Sequence, residues 1–135
     1  GKEALFSIEQ SENLNAPCGV FCLEDGGTIV GDRSEFLLKH FDAAGKLINQ
    51  VQQEGLGFDE IYFLACDPKH GIFGSDFWNN QIIHLNNNLE VVNIYRKQGN
   101  RTGGLGKTAG LSIHNGRLAV SNFDGRKVQV FNLPS

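Results

Sequence analysis

The sequence predicts an all-β fold built from short antiparallel sheets that recur along the chain. Three observations lead there. A strand-like unit returns after 44 and then 46 residues, and each return carries the same internal offsets. No helical periodicity competes with it anywhere. Composition agrees, because 17 glycines and 3 prolines punctuate the chain into short elements while 10 phenylalanines supply bulk for a core.

The repeat is anchored on three β-prone runs: Thr28-Ile29-Val30-Gly31-Asp32, Ile72-Phe73-Gly74-Ser75-Asp76 and Leu118-Ala119-Val120-Ser121-Asn122. Each ends in a small residue followed by Asp or Asn. Nine residues beyond that terminal residue stand Phe41, Leu85 and Phe131, closing a second set of runs at 36–41, 81–85 and 127–131. Upstream lies a third set, Val20-Phe21-Cys22, Leu64-Ala65-Cys66 and Leu111-Ser112-Ile113, each leading into a glycine-containing turn. In the last unit that turn is Asn115-Gly116, a strong hairpin signal because both residues tolerate positive φ. A fourth run follows at 47–51 and again, 44 residues on, at 91–95. Four short antiparallel strands in about 45 residues make one propeller blade. The expected blades are residues 17–52, 61–96 and 109–133 within a single domain, 1–135, the last holding three strands. Ala4-Leu5-Phe6-Ser7-Ile8 reads as an orphan outer strand, the one missing at the other end.

The pattern resembles the NHL-repeat β-propeller family, including the NHL domains of TRIM-NHL proteins. It rests on Cys18-Gly19-Val20, Ile29-Val30-Gly31-Asp32 and Phe41-Asp42-Ala43-Ala44-Gly45-Lys46-Leu47 in the first unit. The third contributes Arg126-Lys127-Val128-Gln129-Val130-Phe131-Asn132. The second departs from it at Asn86-Asn87-Asn88, where an Asp-Gly type of turn is usual. The resemblance implies an NHL-type propeller of about three four-stranded blades. That is half of a six-bladed ring, present as a dimer or as an excerpt of a longer chain, since propeller rings hold about four to eight blades. Two copies exchanging terminal strands would complete such a ring.

Antiparallel alternation places the fourth-to-first and second-to-third connections on one end of the ring. Those are the longest segments, and loops on a rigid scaffold are where binding usually resides. The residues expected to bind there are Arg33, Phe77, Trp78, Asn79, Arg101, Lys107, Arg126 and Lys127. Guanidinium and aromatic groups serve protein hot spots and single-stranded RNA alike. Glu9, Glu12, Glu54, Asp59 and Glu60 share that end and would repel phosphate. The expectation is therefore a non-catalytic module binding a protein or peptide. Single-stranded RNA is the alternative, and a propeller lyase or hydrolase the second alternative.

Other motifs give way to structural readings. Gly103-Gly104-Leu105-Gly106-Lys107-Thr108 imitates the end of a phosphate-binding loop, but Arg101 replaces the required first glycine and a strand follows instead of a helix. Cys22 and Cys66 align with Ile113, so they are expected to be small buried apolar groups rather than part of a metal site. His40 and His84 occupy equivalent strand positions, while His70 and His114 belong to turns and are not expected to converge. Asp32, Asp76 and Asn122 recur in phase and are expected to bond the backbone of their own turns. No catalytic group, metal or cofactor is predicted.

The net charge of −3 divides unevenly: residues 1–66 hold 4 Lys/Arg against 11 Asp/Glu, and residues 67–135 hold 8 against 4. A globally basic nucleic-acid binder is excluded by that balance. No run approaches the roughly 20 apolar residues that span a bilayer, so no membrane partner is expected. Gly1-Lys2-Glu3-Ala4 carries no signal-peptide pattern, and with 3 cysteines in the chain the expected setting is cytoplasmic.

Overall fold

The structure, a computed structural model, describes residues 4, 6–8, 14–32, 36–52, 61–76, 79–96, 108–123 and 125–134. Among the described residues, eleven strands form three antiparallel sheets. The first holds β1 (Pro17–Cys22), β2 (Thr28–Asp32), β3 (Phe36–Phe41) and β4 (Leu47–Gln52) in chain order. The second holds β5 (Ile61–Asp67), β6 (Gly71–Asp76), β7 (Gln81–Leu85) and β8 (Val91–Arg96). The third has three strands: β9 (Thr108–His114), β10 (Arg117–Asn122) and β11 (Lys127–Asn132). Sequential hairpins account for every pairing, so no strand crosses from one sheet to another.

The sheets stack side by side, with β5 touching β1 on one side and β9 on the other. Pleating decides which residues meet, since alternate side chains point to opposite faces. On the first sheet Ile29 pairs with His40 and Gly31 with Leu38, which puts this set on the face toward the second sheet. Ile72, Ile83, Leu85, Leu64 and Cys66 answer from the second sheet. The second sheet's other face carries Phe73 and Ile82, which pack against Leu118 and Val120 of the third. The middle sheet is covered on both faces, and β6 is therefore buried along its whole length. The flanking β4 and β11 hold only half-buried and exposed positions, mostly exposed.

Close approach of the first two sheets depends on glycine at two positions. A Cβ on Gly31 would stand 2.6 Å from the Ile61 carbonyl oxygen, and one on Gly19 would stand 2.7 Å from that of Tyr62. Both contacts are to backbone, which cannot swing aside. Each innermost strand also carries a register irregularity near its start, at Pro17/Gly19, Ile61/Phe63 and opposite Val120/Asn122. A bulge bends a strand and raises its twist, and here one falls on the innermost strand of each sheet.

The first and last sheets end the stack differently. On the first sheet's outward face Val30, Lys39 and Phe41 are buried, although Val20 is exposed. The third sheet's outward face leaves Val128 66% and Val130 59% exposed. The expected orphan strand is corrected here. Ala4 and Phe6–Ile8 carry no strand pairing, and the Phe6 ring sits against Gly45 in the β3–β4 turn of the first sheet. The aromatic ring finds a covering surface on the nearby first sheet, whereas the edge of β11 lies beyond two other sheets.

Candidate functional site

The two ends of the stack carry different chemistry. At the end holding the second-to-third connections, the structure describes three of the expected binding residues. Asn79 is exposed and its Nδ2 donates to Asp76 Oδ2 at 2.9 Å, so it is braced by the strand that precedes it. Arg126 closes the β10–β11 turn with φ of 52° and is exposed. Lys127 follows as the first residue of β11, also exposed. The turn thus brings Arg126 and Lys127 together, and Asn79 occupies the corresponding turn of the neighbouring sheet. Arg33, Phe77, Trp78, Arg101 and Lys107 lie outside the described residues, as do Glu9, Glu12, Glu54, Asp59 and Glu60.

One residue of this end escaped the sequence reading. Phe123 is 71% exposed on the turn that ends in Arg126. It follows Asn122 as Phe77 follows Asp76 and Arg33 follows Asp32, so the repeat alignment held the signal that could have found it.

The recurrent Asp/Asn position engages different partners in each sheet. Asp32 accepts hydrogen bonds at 3.0 Å from the backbone N–H groups of both Asn15 and Ala16, anchoring the approach to β1. It also pairs with the buried Lys39 ammonium at 3.4 Å. Asp76 accepts from the side chains of Asn79 at 2.9 Å and Gln81 at 2.7 Å. Asn122 donates to Gln129 at 2.6 Å. Asp76 finds these partners in and just after its own turn, whereas those of Asp32 and Asn122 come from further along the chain.

At the opposite end, the first-to-second turns of successive sheets line two clefts. The larger, of about 890 Å³, lies between the second and third sheets and is lined by Glu24, Asp67, His70, His114, Leu133 and Pro134, among others. His70 and His114 sit in equivalent turns, and stacking β5 on β9 puts both on the lining of this cleft. Asp67 takes N–H groups of Lys69 and His70 at 2.7 and 2.8 Å and the His70 ring at 2.9 Å. Burial pushes the Asp67 carboxyl up, but those hydrogen bonds outweigh it and hold the group below its ordinary range. The smaller cleft, of about 360 Å³, is lined by Phe21, Cys22, Cys66 and Asn87, among others.

Cys66 is buried as expected, and burial, with the neighbouring Asp67 charge, pushes its thiol up to about 12. Cys22 is exposed, against expectation. Both side chains point to the same face of their sheets, but behind Cys66 lies the first sheet and behind Cys22 lies none. Cys18 is exposed and its thiol donates to the Ile61 carbonyl at 2.7 Å. The ring of His84 stacks on Phe73 at 4.1 Å. Among the described residues no group of three or more metal-ligating side chains gathers, and no helix is long and apolar enough to cross a membrane.

Repeated four-stranded antiparallel sheets stacked through their innermost strands are blades of a β-propeller. The solved structures that resemble the chain are propellers as well. The crystal structure of a nidogen/laminin complex matches with a TM-score of 0.66 at 13% identity, over 89% of this chain and 44% of the other. The hydrazine synthase of Kuenenia stuttgartiensis matches at 0.65 and 11%, over 89% and 33%. The virginiamycin B lyase of Staphylococcus aureus matches at 0.56 and 13%, over 89% and 42%. The chain therefore spans less than half the length of each, and at these identities the likeness is one of fold. No protein-family model and no curated protein matches the sequence.

The expectation that this is not an enzyme is overturned by the lyase neighbours. A blade scaffold of this shape carries a lyase in another protein, because chemistry resides in side chains placed on the scaffold rather than in the sheets themselves.

Proposed function

We propose that the chain is a propeller segment of NHL type that binds a protein or peptide through the end bearing its second-to-third turns. The observation that carries this reading is Phe123, 71% exposed beside Arg126 and Lys127 on a turn between two strands in unbroken register. An aromatic ring and a guanidinium held on a rigid turn are the groups that dominate protein hot spots. The propeller in the nidogen/laminin complex adds support from a neighbour of the same fold. Residues 17–52, 61–96 and 109–133 are the blades of this reading.

Panning a random peptide library against the chain tests it. Selected peptides should lose about 30-fold in affinity on Phe123→Ala, the scale of a hot-spot residue, with the melting transition unchanged. Peptides that bind the variant equally well would refute the surface. Arg126 and Lys127 also support the RNA alternative, which predicts that binding to a random-sequence RNA pool falls steeply with salt. A cytoplasmic setting, and a homodimer that completes a six-bladed ring, belong to the same reading. The solution mass of the isolated chain decides the dimer.

A further inference from the structure

We infer that His70 is a pH-operated latch: its doubly protonated ring clamps the Leu133-Pro134 end of the third sheet to the second sheet, and loss of one ring proton frees that end from the larger cleft. The geometry follows from which groups can donate. Nδ1 stands 2.9 Å from Asp67 Oδ2 and Nε2 stands 2.6 Å from the Pro134 carbonyl oxygen. A carboxylate and a backbone carbonyl only accept, so both ring nitrogens must donate, and only the imidazolium has two N–H groups. Asp67 Oδ1 is engaged by the backbone of Lys69 and His70, which fixes Oδ2 in place for the ring. The ring is also braced from its own backbone, since the His70 carbonyl accepts from the His84 ring. A neutral ring that kept its proton for Asp67 would present a bare Nε2 lone pair to the Pro134 oxygen. That contact is repulsive at this distance.

The bond to Pro134 ties the segment after β11 across sheets, whereas Leu133 N–H donates within the third sheet to Gly116 O at 2.7 Å. Both residues line the cleft of about 890 Å³, so releasing them opens it along one wall. Charged and titratable groups reach His70 from three directions. Asp67 and Lys69 share its turn, Glu24 comes from the β1–β2 turn, and His114 from the end of β9. Cys66 is neutral at any ordinary pH, with its thiol pushed up to about 12. The Asp67 carboxylate favours the charged ring and Lys69 opposes it. In agreement, the His70 pKa stands above its ordinary 6.5, raised first by Asp67 and next by the Pro134 carbonyl, against burial. A raised folded value means that the latch is fully set below 6.5 and lost as pH climbs through the folded value.

Nitrogen NMR of the histidine rings in the intact chain, with amide exchange at Leu133, tests the latch without any substitution. His70 should be protonated on both nitrogens at about pH 6. Leu133 protection, corrected for the intrinsic exchange rate, should fall about tenfold for each unit by which the His70 value exceeds its ordinary one. Asp67→Asn should move that fall to lower pH, and His70→Ala should leave Leu133 weakly protected throughout. A singly protonated His70 at about pH 6, or Leu133 protection that stays flat to about pH 9, would overturn the inference.

Discussion

Single residues here act mainly through what packing gives them to touch. Asp32 is fully buried, and so nearly is Lys39, from the strand that pairs with its own. Removing one member of a buried pair leaves the other's charge without its counterion, at a cost of about 3–5 kcal/mol. Asp32→Ala should therefore destabilise the chain by that much in urea unfolding. Adding Lys39→Met should restore much of the loss, because the stranded charge goes with it. The remainder belongs to the bonds that Asn15 and Ala16 lose. That Asp32 serves a lysine while Asp76 serves Asn79 and Gln81 was not legible in the sequence. The recurrence of the position was legible, and its partners stand 3 to 17 positions away along the chain.

At the scale of one element, the two third-to-fourth turns show how one shape tolerates two sequences. Asp42 Oδ1 accepts from the N–H groups of Ala44 and Lys46 at 2.9 Å, and Asn86 Oδ1 does the same for Asn88 and Glu90 at 2.9 and 3.0 Å. Gly45 takes φ of 86° in the first turn, and Leu89 takes φ of 64° in the second. The left-handed conformation costs a leucine roughly 1–2 kcal/mol, and Leu89 offsets it by burying its side chain in the core between the first two sheets. This explains why Asn86-Asn87-Asn88 looked like a departure from the repeat and yet folds as its equivalent. Leu89→Ala loses the burial and keeps the strain, whereas Leu89→Gly loses the burial and relieves the strain. Leu89→Gly should accordingly be the less destabilising of the two by about 1 kcal/mol in thermal or urea unfolding.

For the whole molecule, the position of a sheet in the stack sets the worth of its side chains. Leu38, Ile82 and Val128 are equivalent in the repeat, yet they are 0%, 1% and 66% exposed. Burying a branched aliphatic side chain is worth about 1.5–3 kcal/mol, and burying a lysine ammonium without a counterion costs more. Leu38→Lys should unfold the chain or lower its stability by several kcal/mol. Val128→Lys should change it by no more than about 0.5 kcal/mol, as an ordinary surface substitution does. Circular dichroism melts of the two variants make the comparison, and equal losses would show that the third sheet is covered in solution.

The three in-phase units, the strands within each and their antiparallel order were written in the sequence. They follow from local alternation of apolar residues and from turn residues whose φ is locally set. The sequence also held the exposed turn bearing Arg126 and Lys127, and through the repeat it held Phe123. Stacking of the sheets decided the rest: which equivalent residues are buried, which cysteine is shielded, and which turns share a cleft. His70, Asp67 and Pro134 come together because β5 lies against β9, and the His70–Pro134 contact joins residues 64 positions apart. Hydrophobic periodicity specifies which face of a strand turns inward, but it carries no record of what lies opposite that face.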